Sequence, residues 1–399
     1  LLAGCSSDGG SESTTSGDAD PSTAAPTTAT TTAGAETDAE AETTEATETT
    51  GDAGYSVTMS PMGEVQFPSV PQSVYAGQPN TADMAIAAGK GDAINSMYYP
   101  QYNGTLMKRF YERLDGVSFD LDGLTDSWNV GKEGFYELDS DVHLTDPAYA
   151  STLENLDEDD VEEIGTRIAP WFGNYYSGSH GAPPDPWADG YEYYTLWEIF
   201  DRVAQVFDAG ERADALTEVH SSMLSTIESK LPPEEERPSV ALTFEGEGDT
   251  LWVYRLNADG FLAAHTRPLG ATDAFADLEF DGPQKQIDYE ALLEADPDVI
   301  LVLFTLAGSY DISEIRSGLE GNDVASEVSA VKNDRVYAQG ARYQGPLMNL
   351  FQLEMTAKEI YPDQFGEWPG YEGGPYPDIP QEERLFDRGA VSDAVNGNG

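Results

Sequence analysis

The sequence predicts an α/β protein built as two lobes with a helical region between them. Three observations carry this. Short β-branched runs alternate with helical periodicity before residue 190 and again after residue 232. Between these stretches Leu196, Ile199, Phe200, Val203, Val206 and Phe207 recur at helical spacing. After Asp208–Gly210 the pattern resumes with Leu216, Val219, Met223, Ile227 and Leu231. Finally, the run Val299–Phe304 is apolar without alternation, the pattern of a strand covered on both faces in a parallel sheet.

The chain opens on Leu1-Leu2-Ala3-Gly4-Cys5, an apolar end running through small residues into the only cysteine. This resembles the end of a lipoprotein signal, in which the cysteine becomes the lipidated N-terminus and the sole membrane anchor. Residues 6–54 are Ser, Thr, Gly, Ala, Pro, Asp and Glu. They contain too little apolar surface to offset ordering entropy, so a disordered acidic tether is expected there. Its Thr and Ser clusters present acceptor hydroxyls for O-glycosylation.

Composition narrows the function further. The 399 residues carry 20 Lys+Arg against 73 Asp+Glu, a net charge of -53, while 39% remain hydrophobic. Only eleven of the acidic residues lie in 1–54, so the charge belongs mostly to the folded body. Such a field repels nucleic acid and anionic headgroups, and is tolerable where salt screens it. The balance resembles that of haloarchaeal proteins. A lone cysteine excludes an internal disulfide framework and a cysteine metal cage. No segment after Cys5 reaches the ~20 apolar residues needed to span a bilayer.

In order, the N-terminal lobe is expected over 55–190. Val74–Ala76 and Asp92–Asn95 read as strands around a helix from Thr81, which Gly89 stops. Asp141–Leu144 is a further strand, and Leu156–Ile168 a helix with acidic residues in its first turn. Gly181–Gly190, with three prolines, reads as a surface excursion. Asn103-Gly104-Thr105 is a glycosylation acceptor pattern. The helical connector covers 191–231 and the second lobe 232–365. In that lobe Val240–Phe244, Leu251–Arg255, Val299–Phe304 and Arg335–Ala338 are strands. Asn257–His265, Tyr289–Leu293 and Leu347–Ile360 are helices. Residues 366–399, rich in Gly, Pro and Asp, are expected to be peripheral.

No catalytic constellation emerges. His143, His180, His220 and His265 are scattered without metal-ligand spacing, so no metal site and no cofactor are expected. Carboxylate pairs are uninformative in so acidic a chain. What stands out is the placement of aromatics and of rare positive charges at strand or helix ends, where α/β lobes present ligand contacts. These are Tyr98, Tyr99, Trp128, Trp171 and Tyr175 in the first lobe. In the second they are Trp252, Tyr254, Arg255, Arg267, Arg342 and Tyr343. Arginine offers a planar fork for carboxylate, catecholate or hydroxamate oxygens. The competing assignment places Trp171 and Trp252 in the core and pairs the arginines with carboxylates.

The run from Val74 to Phe365 resembles the cobalamin and iron-siderophore class of ABC-transporter substrate-binding proteins. The stretches that carry the resemblance are Val70–Tyr75, Thr81–Gly89, Phe135–Pro147, Ile168–Asn174, Ile287–Ile300 and Ser329–Tyr337. The strongest is Ile287–Ile300. The resemblance implies two similar α/β lobes joined by a long rigid helix, with a ligand cleft between them and little hinge closure. It also implies a surface glutamate on each lobe that docks on the permease, read here as Glu133 (with Glu137 competing) and Glu290. Each of the two lies eight residues before an aspartate that opens a strand, Asp141 or Asp298.

The function so implied is a monomeric, extracytoplasmic receptor, lipid-anchored to the outer face of the cell membrane. It would deliver a ferric siderophore to an ABC permease with a cytoplasmic ATPase, the iron already wrapped by its siderophore. Cobalamin, which favours aromatic and backbone contacts, is the alternative ligand. Haem would call for an axial Tyr or His, for which Tyr98 is the offer. Outside the class stand an exported acidic enzyme and a cell-surface structural protein.

Overall fold

The computed structural model describes residues 54–398, apart from Ser309 and Glu372. Cys5 and the tether up to residue 53 lie outside the described residues. An antiparallel hairpin, Tyr55–Met59 with Gly63–Phe67, leads into the first lobe. It alternates exposed and buried positions, and Val57, Met59, Val65 and Phe67 form its covered face.

The first lobe holds a four-stranded parallel sheet in the order Thr125–Asp126, Ile94–Met97, Val74–Ala76, Val142–Leu144. Its central strands are almost wholly buried, as parallel strands under helices must be. The helix expected from Thr81 begins two residues earlier, at Pro79, and runs to Ala87. Proline suits that first turn because its missing N–H has no intrahelical partner to lose. A helix Pro100–Tyr111 follows the second strand where the sequence showed only a tyrosine-rich stretch. Asn103 lies inside that helix, 4% exposed, with its amide donating to the Tyr98 carbonyl at 2.7 Å, so it offers no accessible glycosylation site in the folded protein.

The connector is two helices, Leu196–Val206 and Gly210–Lys230, broken at Asp208, whose φ is 53°. Thr195 and Glu198 form a reciprocal capping box at the first. The 21-residue second helix extends about 31 Å at 1.5 Å per residue.

The second lobe holds a mixed sheet in the order Gln284–Asp288, Thr250–Tyr254, Ser239–Glu245, Val299–Val302, Val336–Ala338, with Thr272–Asp273 beside Ser239–Glu245. Val299–Val302 is parallel to both its neighbours and buried throughout, as its unbroken apolar run predicts. The other half is antiparallel; Ser239–Glu245 and Thr250–Tyr254 are so paired because the Gly246–Asp249 connection is too short for a crossover. Where a helix is expected over Asn257–His265 the chain makes a single 3₁₀ turn, Phe261–Ala263, and another follows at Arg267–Leu269. Gly260, at φ 86° and against the Gly178 carbonyl, interrupts the expected helix.

The two lobes repeat a local device. The Lys132–Leu138 and Tyr289–Ala295 helices each end on a left-handed aspartate, Asp139 and Asp296. Two residues later Asp141 or Asp298 opens a strand. Asp141 accepts from the Gln72 and Ser73 amides, and Asp298 from the Ser239 amide.

The Pro346–Ile360 helix is buried along its entire length. It packs against Pro79–Ala87 and Pro100–Tyr111 of the first lobe. Asp83 tightens that seam by accepting the Leu347 amide at 2.9 Å, the Met348 amide at 3.3 Å and the Tyr111 hydroxyl. Burial raises its carboxyl to about 7.

The C-terminal segment departs from its expected peripheral place. Tyr371, Tyr376, Ile379, Phe386, Val391 and Val395 enter the core. Arg388 pairs with buried Glu354 at 2.6 Å and lies against the rings of Phe351, Tyr376 and Phe386. Across the molecule the Tyr376 amide donates to the Arg109 carbonyl at 2.9 Å, and Asn396 donates to the Asp115 carbonyl at 2.9 Å. Glycine and proline are frequent there, but the spaced aromatics supply the apolar area that holds the segment down.

Candidate functional site

The Val336–Ala338 strand ends in the loop Gly340–Gly345, which carries Arg342 and Tyr343 into the seam between the lobes. Loops at the carboxyl ends of parallel strands carry contact residues in α/β folds. The buried amides of the following helix hold this loop. Gln352 accepts from the Ala341 amide at 2.9 Å and donates back to the Ala341 carbonyl at 3.0 Å. Gln344 accepts from Gln352 and Asn349, and donates to His265 Nδ1 at 2.7 Å. A Cβ at Gly340 would lie 2.1 Å from Gln352 Oε1, so the clamp needs glycine there. Burial lowers His265 to about 3, with the Arg342 charge adding to the effect. The imidazole is therefore neutral and its Nδ1 is free to accept.

Arg342 is 7% exposed and its guanidinium sits 4.0 Å from the centre of the Tyr254 ring. It forms no ion pair among the described residues, and its Nε–H is buried without a partner. Burial depresses its pKa, against the opposing pull of the Tyr254 phenol. A guanidinium this deep is normally matched by a carboxylate, because the desolvation cost of the lone charge is large.

Tyrosines surround it. Tyr149, Tyr175 and Tyr343 stack in sequence, with centroids 3.9 Å and 5.8 Å apart, and the Tyr175 and Tyr343 hydroxyls share a 2.6 Å hydrogen bond across the lobes. Burial raises the phenols of Tyr98, Tyr149, Tyr175, Tyr254 and Tyr343, so all are neutral hydroxyls near pH 7. Beneath Tyr175, buried Asp146 accepts the Tyr175 and Ala148 amides at 2.8 Å each, and the Tyr191 hydroxyl. Burial lifts Asp146 to about 6.

A second aromatic group forms at the first lobe's strand end. Tyr98 meets Trp128 edge-on at 5.3 Å, and Tyr99 lies over Trp128 at 6.2 Å. Tyr99 adopts φ 42° and is 43% exposed, a strained and uncovered position for a large side chain. Asp126 fixes both arms, accepting the Tyr99 and Trp128 amides at 3.1 Å.

The structure thus draws Tyr98, Tyr99 and Trp128 into one group and Tyr175, Tyr254, Arg342 and Tyr343 into another. Trp252 joins the second indirectly, since Phe244 stacks on both Trp252 and Tyr254. Three expected residues fall elsewhere. Trp171, 6% exposed, packs on His143 and Phe135, and its indole donates to the Val161 carbonyl at 2.9 Å, so it is core. Arg255 follows Tyr254 and is exposed, bonding the Leu278 carbonyl and lying 4.5 Å from the Phe280 ring. Arg267 ties down its own loop through the Ala258 and Gly260 carbonyls.

Tyr149, Tyr176, Tyr191, Phe244 and His265 also belong to this region. The density of tyrosine between 175 and 194 signals Tyr176 and Tyr191, and no local pattern signals Tyr149, Phe244 or His265. Tyr191, through Asp146, ties the end of the Gly181–Gly190 excursion to the site. Glu133 and Glu290 are both exposed, each in the first turn of its short helix. No group of three or more His, Cys, Asp or Glu suited to a metal occurs among the described residues. Surface hollows of about 300 Å³ beside Trp368 and about 250 Å³ beside Arg384 lie away from these tyrosines.

This architecture is the periplasmic binding protein fold. The profile of a family described as periplasmic binding protein matches residues 180–343. Among solved structures, the chain is similar to an iron-uptake ABC-transporter substrate-binding protein from Streptococcus pneumoniae. The two share 17% identity, covering 78% of this chain and 99% of that one, with a TM-score of 0.53. It is also similar to a petrobactin-binding protein from Bacillus subtilis, at 14% identity, 77% and 97% coverage and a TM-score of 0.52. A periplasmic binding protein from Veillonella parvula gives 16%, 78% and 92%, and 0.52. No curated protein matches the chain.

Proposed function

We propose that this protein is an extracytoplasmic substrate-binding protein that captures a ferric siderophore and passes it to an ABC importer. The observation that carries the reading is Arg342: a buried guanidinium without a carboxylate, ringed by neutral tyrosines at the seam of two lobes. A cation so placed is stabilised by an anionic or strongly dipolar oxygen ligand, and the phenols supply apolar walls with hydroxyl donors. The named iron-uptake and petrobactin-binding relatives support the same reading through their shared fold. In this role the protein binds a solute and performs no chemistry on it. The iron stays within its chelator, Cys5 carries the lipid anchor, and Glu133 and Glu290 meet the permease.

The test is calorimetric titration of the full chain in high salt with a panel of ferric siderophores and with cobalamin. Saturable binding of at least one ferric siderophore, weakened in Arg342→Gln, is the expected result. Binding of cobalamin alone keeps the receptor and overturns the ligand. No binding by demonstrably folded protein overturns the proposal.

A further inference from the structure

Resting on that reading, we infer that the site selects a siderophore complex of little or no net charge, of the ferric tris-hydroxamate type, and rejects a triply anionic ferric tris-catecholate. The argument is a balance of charges around the two aromatic groups. Three arginines could have supplied positive charge from the second lobe, and the structure removes two. Arg255, exposed after its strand, is engaged by the Leu278 carbonyl and the Phe280 ring, and Arg267 is consumed by the Ala258 and Gly260 carbonyls. Arg342 remains. Among the described residues no other Lys or Arg makes a hydrogen bond, ion pair or ring contact with Tyr98, Tyr99, Tyr149, Tyr175, Tyr254 or Tyr343.

Negative charge lies close behind the same side chains. Asp126 holds the backbone of Tyr99 and Trp128, and Asp146 holds that of Tyr175. One cation against two carboxylates leaves the immediate surroundings at or below neutrality, within a chain of net charge -53. A ligand with three negative charges would enter with at most one compensated, and juxtaposed like charges oppose association. An uncharged complex meets no such barrier. Its coordinated oxygens remain hydrogen-bond acceptors, which suits one guanidinium and several phenol donors held in the neutral state.

The test is calorimetric titration of the full chain with ferrichrome, an uncharged ferric tris-hydroxamate, and with ferric enterobactin, a ferric tris-catecholate, each at two salt concentrations. Ferrichrome should bind at least about 100-fold more tightly, with an affinity independent of salt. Enterobactin binding as tightly as ferrichrome, or more so, overturns the charge argument and leaves the siderophore receptor standing. Binding of neither iron complex overturns the hydroxamate assignment, and the wider siderophore panel then decides whether the receptor itself stands. A ferrichrome affinity that rises steeply with salt refutes the claim that the complex meets no electrostatic barrier.

Discussion

Replacing Arg342 by glutamine separates a ligand-binding cation from a structural one. In the unliganded protein the guanidinium has no carboxylate partner, and its packing on Tyr254 is its main compensation. That contact contributes about 0.5–2 kcal/mol, while an unpaired buried charge costs several kcal/mol. Arg342→Gln should therefore leave the free protein as stable as before, within about 3 °C of the parent melting temperature, or more stable. Its effect belongs in the complex. Loss of a charge-assisted hydrogen bond removes about 1.5–3 kcal/mol, which weakens binding roughly 10- to 150-fold. Melting the parent and the variant with and without saturating ferric siderophore reads both quantities, because ligand raises stability in proportion to the logarithm of its concentration over Kd. The expected pattern is matched melts without ligand and a clearly smaller ligand-induced rise in the variant. A free variant that melts more than about 8 °C lower, with an unchanged Kd in the protein that remains folded, would show that Arg342 braces the fold instead.

Further outcomes follow from other residues. Arg255→Ala should leave siderophore affinity within about twofold of the parent, since the side chain lies outside the aromatic groups; a tenfold loss in titration contradicts this placement. Arg388→Ala strands Glu354 as a buried charge and should cost about 3–5 kcal/mol in urea unfolding, with a loss near zero refuting the C-terminal segment's structural role. Asp83, raised to about 7 by burial, stabilises the folded state below the ordinary carboxylate range and loses that contribution as pH rises through 7. The stability of Asp83→Asn relative to the parent should thus increase between pH 4 and pH 8, and a flat difference would remove Asp83 from the titrating groups. His143, His220 and His265 are held neutral to about 3, 4 and 3 by burial, so the unfolded chain takes up their protons first. Each should cost about 1.4 kcal/mol of stability per pH unit on descending from about 6.5 toward 4. His265→Gln should shallow that descent in denaturant titrations, and an unchanged slope would show that His265 titrates normally.

Much of the lobe pattern was present in local order. Apolar runs such as Val299–Phe304, the periodic helices after Leu196 and the equal offsets of Glu133 and Glu290 from their aspartates all appear in the structure as regular elements. Their causes are local: side-chain period, a capping residue or a breaking glycine. The Pro100–Tyr111 helix was not legible, because its tyrosines and Gly104 obscure the period, and the Tyr55–Phe67 hairpin went unread although Val57, Met59, Val65 and Phe67 alternate with polar residues. Asn257–His265 misled for the converse reason, since its apolar spacing is helical while Gly260 takes a conformation that ends the helix.

The residues of the site divide along the same line. The sequence alone determined that aromatics and scarce arginines sit at the ends of strands, and that the second lobe contains a strand buried on both faces. Only the tertiary structure decided which of those side chains meet. Tyr254 closes its strand and is buried, while Arg255, just beyond it, is exposed although they are neighbours. Trp171 reaches the Val161 carbonyl and becomes core, and Tyr343 reaches Tyr175 across 168 positions of chain. Among the described residues Arg342 is buried without an ion pair, while Asp146 is committed to the Tyr175 amide and Asp83 to the 346–360 helix. Such commitments are long-range. They are set by packing and by the cost of leaving a buried donor or acceptor without its partner, which no local pattern encodes.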